Sequence, residues 1–334
     1  MSVLATPRPD AVRSAASSPV EFRLLGPVMV HDATGGADIV PAGSKQRALL
    51  AAFVTHAGVL LDVDRLAAEL WDGADGAPPG NAANALQAHV ARLRRLLPTP
   101  GDYGHVWIST LPTGYLLDLG GASTDVQRFT RRSSEGRAAV ATDPARAAQI
   151  LHGALELWRG PALQDCRRGP VCAAEADRLD EMRLTTLEAL YEARLRCERH
   201  GECIGDLERL TADHPLRERF YDLLMVALYR SGRQAEAIGV YERARRRLVA
   251  ALGIEPGPAL RGRLESVLTH SPGLAAPVAP GVLDELDRLR RRVDELARQQ
   301  LELTRRLNAA TAGPQATGSQ TTGSQAAGSQ AVAR

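Results

Sequence analysis

The sequence predicts a mainly helical chain with a small β component, built in three parts: a compact domain of three helices framed by short strands, an all-helical array, and a C-terminal helix of coiled-coil type. Three observations predict it. "VEFRLLGPVMV" (Val20–Val30) alternates and is rich in β formers. From about Ala122 to Thr269 the apolar residues recur at helical spacing. Val282, Leu286, Leu289, Val293, Leu296, Gln300, Leu303 and Leu307 fall on alternating steps of four and three. At 334 residues the chain is long enough for two domains with separate cores.

Residues 1–19 are rich in Ser, Pro and Ala and are expected to be disordered. In the first domain, residues 20–120, "GG" at Gly35 and Gly36 breaks the β-rich stretch before "DIVPA", which predicts a short N-terminal sheet. Ser44 is expected to cap a helix running to His56, with Leu49, Leu50 and Phe53 inward. Asp62 caps a second helix, "VDRLAAELW". "GADGAPPG" (Gly73–Gly80) is a loop by composition, and Asn81 opens the third helix. "HVWISTLPTGYLLDL" reads as two strands joined by a tight Pro/Gly turn, in which Gly114 permits the turn and Tyr115 packs the hairpin.

In the second domain, residues 122–270, "ARLRCERHGECIGDLERL" and "VALYRSGRQAEAIGVYERA" look like two versions of one unit, with Gly201 and Gly232 at 31 residues' separation. The second has the small-residue spacing of a tetratricopeptide repeat: Gly232, Ala237, Tyr241, Ala244. A generic helical hairpin is the alternative. Pro256 and Pro258 are expected to close the array. Residues 271–281 form a linker, and residues 282–308 carry the a and d positions of a coiled coil with one polar residue, Gln300, in the seam. Helices this short are marginal alone, so a partner helix is implied, either a second copy or the body of the same chain. The tail, residues 309–334, repeats T/A-G-S-Q three times and is expected to be disordered.

Composition excludes several functions. Lys45 is the single lysine, and "GSKQ" around it lacks the G-K-[ST] of a phosphate-binding loop. Cys166, Cys172, Cys197 and Cys203 fall in two C-x5-C pairs, not the C-x2-C of a zinc site, and are expected to be free thiols. The eight histidines show no H-x3-H pairing, so neither metal nor cofactor is expected. No nucleophile elbow, H-E-x-x-H or G-x-G-x-x-G motif is present, so no enzyme is expected. The start has no apolar signal region and no apolar run is long enough to span a membrane, which predicts a cytoplasmic protein.

Net charge is only +2, yet "NAANALQAHVARLRRLL" (Asn81–Leu97) holds three arginines and no acid. Residues 1–120 hold nine basic residues against eleven acidic ones, so this positive charge is local. Leu86, Val90, Leu93 and Leu97 define a buried stripe. The opposite face carries Asn84, Gln87, Ala88, Ala91 and Arg95, flanked by Arg92 and Arg94. Small alanines let the backbone approach a partner, while amides pair with adenine and guanidinium groups with guanine in the major groove. A small sheet, three helices with the third basic, and a C-terminal hairpin describe a winged helix-turn-helix.

With these elements in place, "EFRLLGPV", "GSKQRALLA", "DRLAAELW", "NALQAHVARLRRLL" and "LPTGYLLDL" resemble the OmpR-type winged helix of the Streptomyces antibiotic regulatory proteins. "ALELWRGPAL", "EADRLDEMRL", "HPLRERFYDLLMVALYRSGRQAEAIGVYERARRRL" and "LGIEPGPALRGRLESVL" resemble that family's bacterial transcriptional activation domain. The resemblance covers about residues 20–270. It implies a transcriptional activator of secondary-metabolite (antibiotic) genes that binds direct repeats of double-stranded promoter DNA beside the −35 element. Two copies would lie side by side as a homodimer on DNA, touching RNA polymerase through its sigma factor and α subunit.

Carried over by position, Asn84, Gln87, His89, Arg92 and Arg94 occupy recognition-helix sites, and Lys45 and Arg47 would touch phosphate. Arg92 is the leading candidate for a base contact, with a phosphate clamp as the alternative. Arg94 and Arg95 lean towards phosphate, and His89 towards packing or phosphate. Arg217 and Arg219 could face polymerase, but capping and ion pairing explain them equally well. The family's wing often reads T-R-P-P-G-Y, whereas here it is "STLPTGY" with Leu111, so minor-groove readout by the wing is in doubt. A repressor of the same architecture and a helical scaffold whose winged helix binds protein are the alternative functions.

Overall fold

The computed structural model describes residues 20–72, 79–98, 106–166, 169–274 and 280–311. The expectations for residues 1–19, for most of Gly73–Gly80 and for the repeated tail lie outside them.

The N-terminal stretch divides at "LLGP" into strands β1 (Val20–Arg23) and β2 (Met29–Asp32), which pair antiparallel with Phe22 opposite Val30. Strand β3 (Ala37–Ile39) follows on β2. Helix α1 (Ser44–Thr55) comes next, and Ser44 is its first residue, not its cap; the cap position falls on Gly43. Gly43 has φ +112°, a left-handed backbone that glycine adopts without strain. Seven consecutive residues, Ala48–Val54, are buried, so α1 is enclosed on nearly all sides.

Strand β4 (Leu61–Asp62) leads into α2 (Val63–Trp71), where the Asp62 carboxylate accepts the Arg65 N–H at 2.7 Å as the sequence predicts. Helix α3 (Ala82–Leu96) is capped in the same way by Asn81. Strands β5 (Ile108–Leu111) and β6 (Gly114–Leu117) form the wing hairpin, with β6 also paired to β4. Gly114 is required for a different reason than the turn. A Cβ there would collide with the Leu61 carbonyl and the Asp62 backbone as β4 passes. Tyr115 is buried edge-on against Phe53, with ring centroids 6.4 Å apart.

The all-helical expectation from Ala122 misses strand β7 (Ser123–Thr124), which returns to the N-terminal sheet and pairs parallel with β1, giving the order β3-β2-β1-β7. Two residues carry too little pattern to read as a strand. Thr124 also caps α4 (Asp125–Ala139) in a reciprocal box with Gln127.

Helices α5 (Pro144–Leu155), α6 (Pro170–Arg196), α7 (His200–Asp213), α8 (Glu218–Arg230), α9 (Gln234–Leu252) and α10 (Pro258–Leu268) complete the second domain. The repeat is present, but its register differs from the glycine match. Gly201 lies within the first turn of α7, while the residue equivalent to Gly232 is Glu198; both have positive φ, at 61° and 76°. The turns superpose bond for bond. Cys197, Glu198 and Arg199 donate to Ala193, Leu195 and Arg194, as Ser231, Gly232 and Arg233 donate to Ala227, Tyr229 and Leu228. The common offset is 34 residues, the tetratricopeptide period. Ala237, Tyr241 and Ala244 are buried as expected.

Pro258 does not end the array but starts α10, whose Leu260 and Val267 are buried in the same core. Leu274, placed in the linker by composition, is also buried there, at the end of a short turn (Pro272–Leu274).

The two domains share one core. Residues of β1, α1, α2 and α3 pack in a single cluster with Trp158, Leu163, Val171, Cys172 and Leu179. Two buried carboxylates stitch this seam. Asp125 accepts the N–H groups of Leu24 and Leu25 and the Arg159 guanidinium at 3.2 Å. Burial pushes its carboxyl above the usual range, against the pull of those donors. Glu69 of α2 accepts the N–H groups of Val171 and Cys172, the first turn of α6. All four cysteines are free, and Cys166, Cys172 and Cys203 are buried.

Residues from Pro277 onward are a separate unit, whose described part is the helix α11 (Pro280–Thr311). It begins two residues before the predicted seam.

Candidate nucleic-acid interface

Helix α3 divides into the two faces that its spacing predicts. Leu86, Val90, Leu93 and Leu97 are buried, with exposures of 5% or less. Asn84, Gln87, Ala88, Ala91, Arg92 and Arg95 are exposed, at steps of three and four along one face. The side chains of Asn84, Gln87 and Arg92 make no hydrogen bond or ion pair within the described residues. Donors and acceptors backed by a buried stripe, and unsatisfied among the described residues, are what a base-reading face requires.

The remaining candidates are already engaged. Arg94 donates from Nε to the Ile108 carbonyl at 2.9 Å and from Nη2 to the Thr110 hydroxyl at 2.7 Å, tying α3 to the first wing strand. Arg95 folds back on its own helix, to the Ala91 carbonyl at 3.3 Å. His89 is half-buried: its Nδ1 meets the Gln46 amide at 2.9 Å and its ring stands edge-on to Trp71. Gln46 also donates to the His89 carbonyl, so α1 and α3 are joined at this point. Burial, then the charges of Arg92 and Lys45, hold the His89 pKa below the usual histidine value. The Gln46 amide nitrogen facing Nδ1 favours the tautomer that carries its proton on Nε2.

Lys45 stands over the Trp71 ring at 5.4 Å, beside the same histidine. Arg47 donates to the Pro41 carbonyl at 3.2 Å, and its Nε is buried with no partner among the described residues. Lys45 and Arg92 therefore supply the positive charge on either side of His89, where the start of α1 meets the middle of α3. Leu111 stands 40% exposed at the wing's tip, where its sequence position put it.

Sequence reasoning did not single out Glu69, Asp125, Gln46 or Thr110, whose partners lie 16 to 103 residues away along the chain. The Thr124-x-x-Gln127 spacing of a capping box is a signal that would have marked the start of α4. Arg217 and Arg219 resolve as ion pairs: Arg217 with Glu181 and Glu188 of α6, Arg219 with Glu192 and Asp222. Among the described residues no cluster could hold a metal ion, and no helix is long and apolar enough to cross a membrane.

The arrangement has known counterparts. Residues 37–117 match the C-terminal transcriptional regulatory protein family, and residues 124–268 the bacterial transcriptional activator domain. The chain is 41% identical to the transcriptional regulator RedD of Streptomyces coelicolor over 78% of its own length and 73% of that protein's. It is 34% identical to the regulatory protein DnrI of Streptomyces peucetius, over 76% of this chain and 94% of that one. The solved structure of Mycobacterium tuberculosis EmbR in complex with a low-affinity phosphopeptide superposes with a TM-score of 0.68 at 33% identity, over 80% of this chain and 71% of that one. A winged helix with an acid-free, exposed third helix, sharing its core with a tetratricopeptide-like activator domain, places this chain in the Streptomyces antibiotic regulatory protein family of DNA-binding transcriptional activators.

Proposed function

We propose that the protein binds direct repeats beside a promoter −35 element, two copies side by side, and recruits RNA polymerase to secondary-metabolite biosynthesis genes. The observation that carries this reading is the exposed face of α3, where Asn84, Gln87 and Arg92 surround Ala88 and Ala91 with no side-chain partner among the described residues. In it, Asn84 and Gln87 read adenine, Arg92 reads guanine, and Lys45, Arg47 and Arg95 contact phosphate. Arg94 sets the wing's height above the groove from its bonds to Ile108 and Thr110, and its remaining edge faces phosphate. His89 joins α1 to α3 and offers its Nε2–H at the protein–DNA boundary.

Polymerase contact, with the sigma factor and the α subunit, falls in this reading to the helical domain. A groove of about 640 Å³ there is lined by Leu216, Arg243, Arg246, Arg247, Ala250 and Ala251. Arg243 is paired with Glu208, while Arg246 and Arg247 are exposed and have no acidic partner among the described residues. Apolar floor and cationic rim suit an acidic, apolar segment of polymerase.

Selection of bound sequences from a random duplex pool, with the full chain at near-physiological salt, tests the reading. The expected result is two similar half-sites in direct repeat about one helical turn apart, with affinity falling steeply with salt as about 5 to 8 phosphate contacts require. Binding that yields no motif and ignores salt would overturn it in favour of a protein-binding winged helix.

A further inference from the structure

We infer that α11 pairs with α11 of a second copy as a parallel, in-register, two-stranded coiled coil, so that the protein meets its operator already dimeric. The inference deepens the two-copy part of the proposed function and rests on it for its use on DNA; the pairing itself requires no DNA.

The helix leaves its seam bare. Leu289, Val293, Leu296 and Leu303 are 55%, 63%, 51% and 60% exposed, along one stripe of a helix otherwise rich in Arg, Asp and Glu. Their steps of three and four repeat every seven residues, the period of a supercoiled seam. The flanking polar residues pair within the helix, as Glu295 does with Arg298 and Gln299. They stay solvated, and the apolar stripe does not.

The pattern selects the occupant. Leucine at the d positions 289, 296 and 303 with β-branched Val293 at an a position favours two strands. Gln300 stands at the next a position. In a parallel, in-register pair the two Gln300 amides share one layer, where each offers the other a donor and an acceptor. An antiparallel pair would set each amide against a d-position leucine and leave it unsatisfied. Charge agrees. The positions facing each other across a parallel pair are 285 with 290, 292 with 297, and 299 with 304, which are Glu with Arg, Arg with Ala, and Gln with Thr. One attractive pair occurs on each side of the seam and no repulsive one. A second copy of this helix is thus a complement to it in shape, polarity and charge.

Joining two bodies in this way makes the second half-site an intramolecular target. The test is the mass of the full chain by light scattering at about 10 µM, without DNA, beside Val293→Glu/Leu296→Glu. The expected result is a dimer for the wild type and a monomer for the double variant, whose exposed substitutions leave the body folded. The double variant should bind a single half-site duplex unchanged and lose about 10²-fold in apparent affinity for the two-site duplex. Gln300→Cys should cross-link the dimer under mild oxidation, because that position meets itself only in the parallel register.

A monomeric wild type, or a dimer that survives the double substitution, overturns the pairing. A trimeric or tetrameric mass, or a dimer that Gln300→Cys cannot cross-link, overturns its two-stranded, parallel form. Failure of the wild type to bind any half-site would instead strike the DNA reading, with the mass still deciding the pairing.

Discussion

Glu69, only 1% exposed on α2, receives the Val171 N–H on Oε2 at 2.7 Å and the Cys172 N–H on Oε1 at 3.2 Å. A carboxylate of the DNA-reading domain thereby caps a 27-residue helix of the activator domain. The negative charge also suits the positive end of that helix. The two domains are consequently one rigid unit at this seam. Glu69→Ala strands two buried N–H groups and should cost about 3 kcal/mol, read as a loss of several degrees in Tm. Glu69→Gln keeps one acceptor and should fall between. A single cooperative transition in both variants is expected; two separated transitions would show that the domains melt independently and that the seam is not shared.

Arg92 and Arg94 lie two residues apart and should behave differently. Arg92→Ala should cost about 1–3 kcal/mol at one base pair of the operator and little elsewhere. Arg94→Ala removes the tie to Ile108 and Thr110 and should weaken binding evenly across sequences. Affinities for a panel of single-base operator variants separate the two. An even loss from Arg92→Ala would reduce it to a phosphate contact.

The DNA contact proposed for His89 makes recognition sensitive to pH. Its folded pKa lies below that of the unfolded chain, about 6.5. Between the two values the unfolded chain binds the extra proton, so stability is intact above about pH 6.5 and declines as pH falls below it. A His89 proton titration by NMR should have its midpoint below 6.5 in the free protein. Phosphate near Nε2 favours the cation, so operator DNA should raise that midpoint. A free-protein midpoint at or above 6.5 would contradict the account given by burial and the two neighbouring cations.

Arg246→Glu/Arg247→Glu reverses the charge of the groove on the helical domain without touching α3. Operator affinity should stay unchanged while transcription in a purified polymerase assay drops about tenfold or more, the effect of putting like charges in an interface. Equal transcription from variant and wild type would remove the groove from the polymerase contact.

Leu111→Arg gives the wing tip a cation on an already exposed position. It should steepen the salt dependence by about one ion and favour A·T-rich flanks, whose narrow minor groove attracts arginine. No gain on such flanks would mean that the tip stands clear of the groove.

The sequence by itself determined the local physics. Asp62 and Asn81 announce their helices because an N-cap needs only residues three positions on. Leu86, Val90, Leu93 and Leu97 sort the faces of α3 because helical periodicity is a property of neighbours along the chain. The wing hairpin and the two-domain order follow from turns and patterns of the same short range. What only the tertiary structure decided involves partners far apart in sequence. Strand β7 exists because β1 offers it an edge, and its two residues hold no pattern of their own. The repeat register follows from hydrogen-bonded turns, where Glu198 fills a left-handed position that glycine would have advertised. Arg94 reads from sequence as a recognition-helix cation leaning towards phosphate, and only the fold brings Ile108 and Thr110 to meet it. Glu69 and Asp125 carry no signal in the sequence, and become the stitches of the molecule because folding buries them against backbone N–H groups that no spacing rule connects to them.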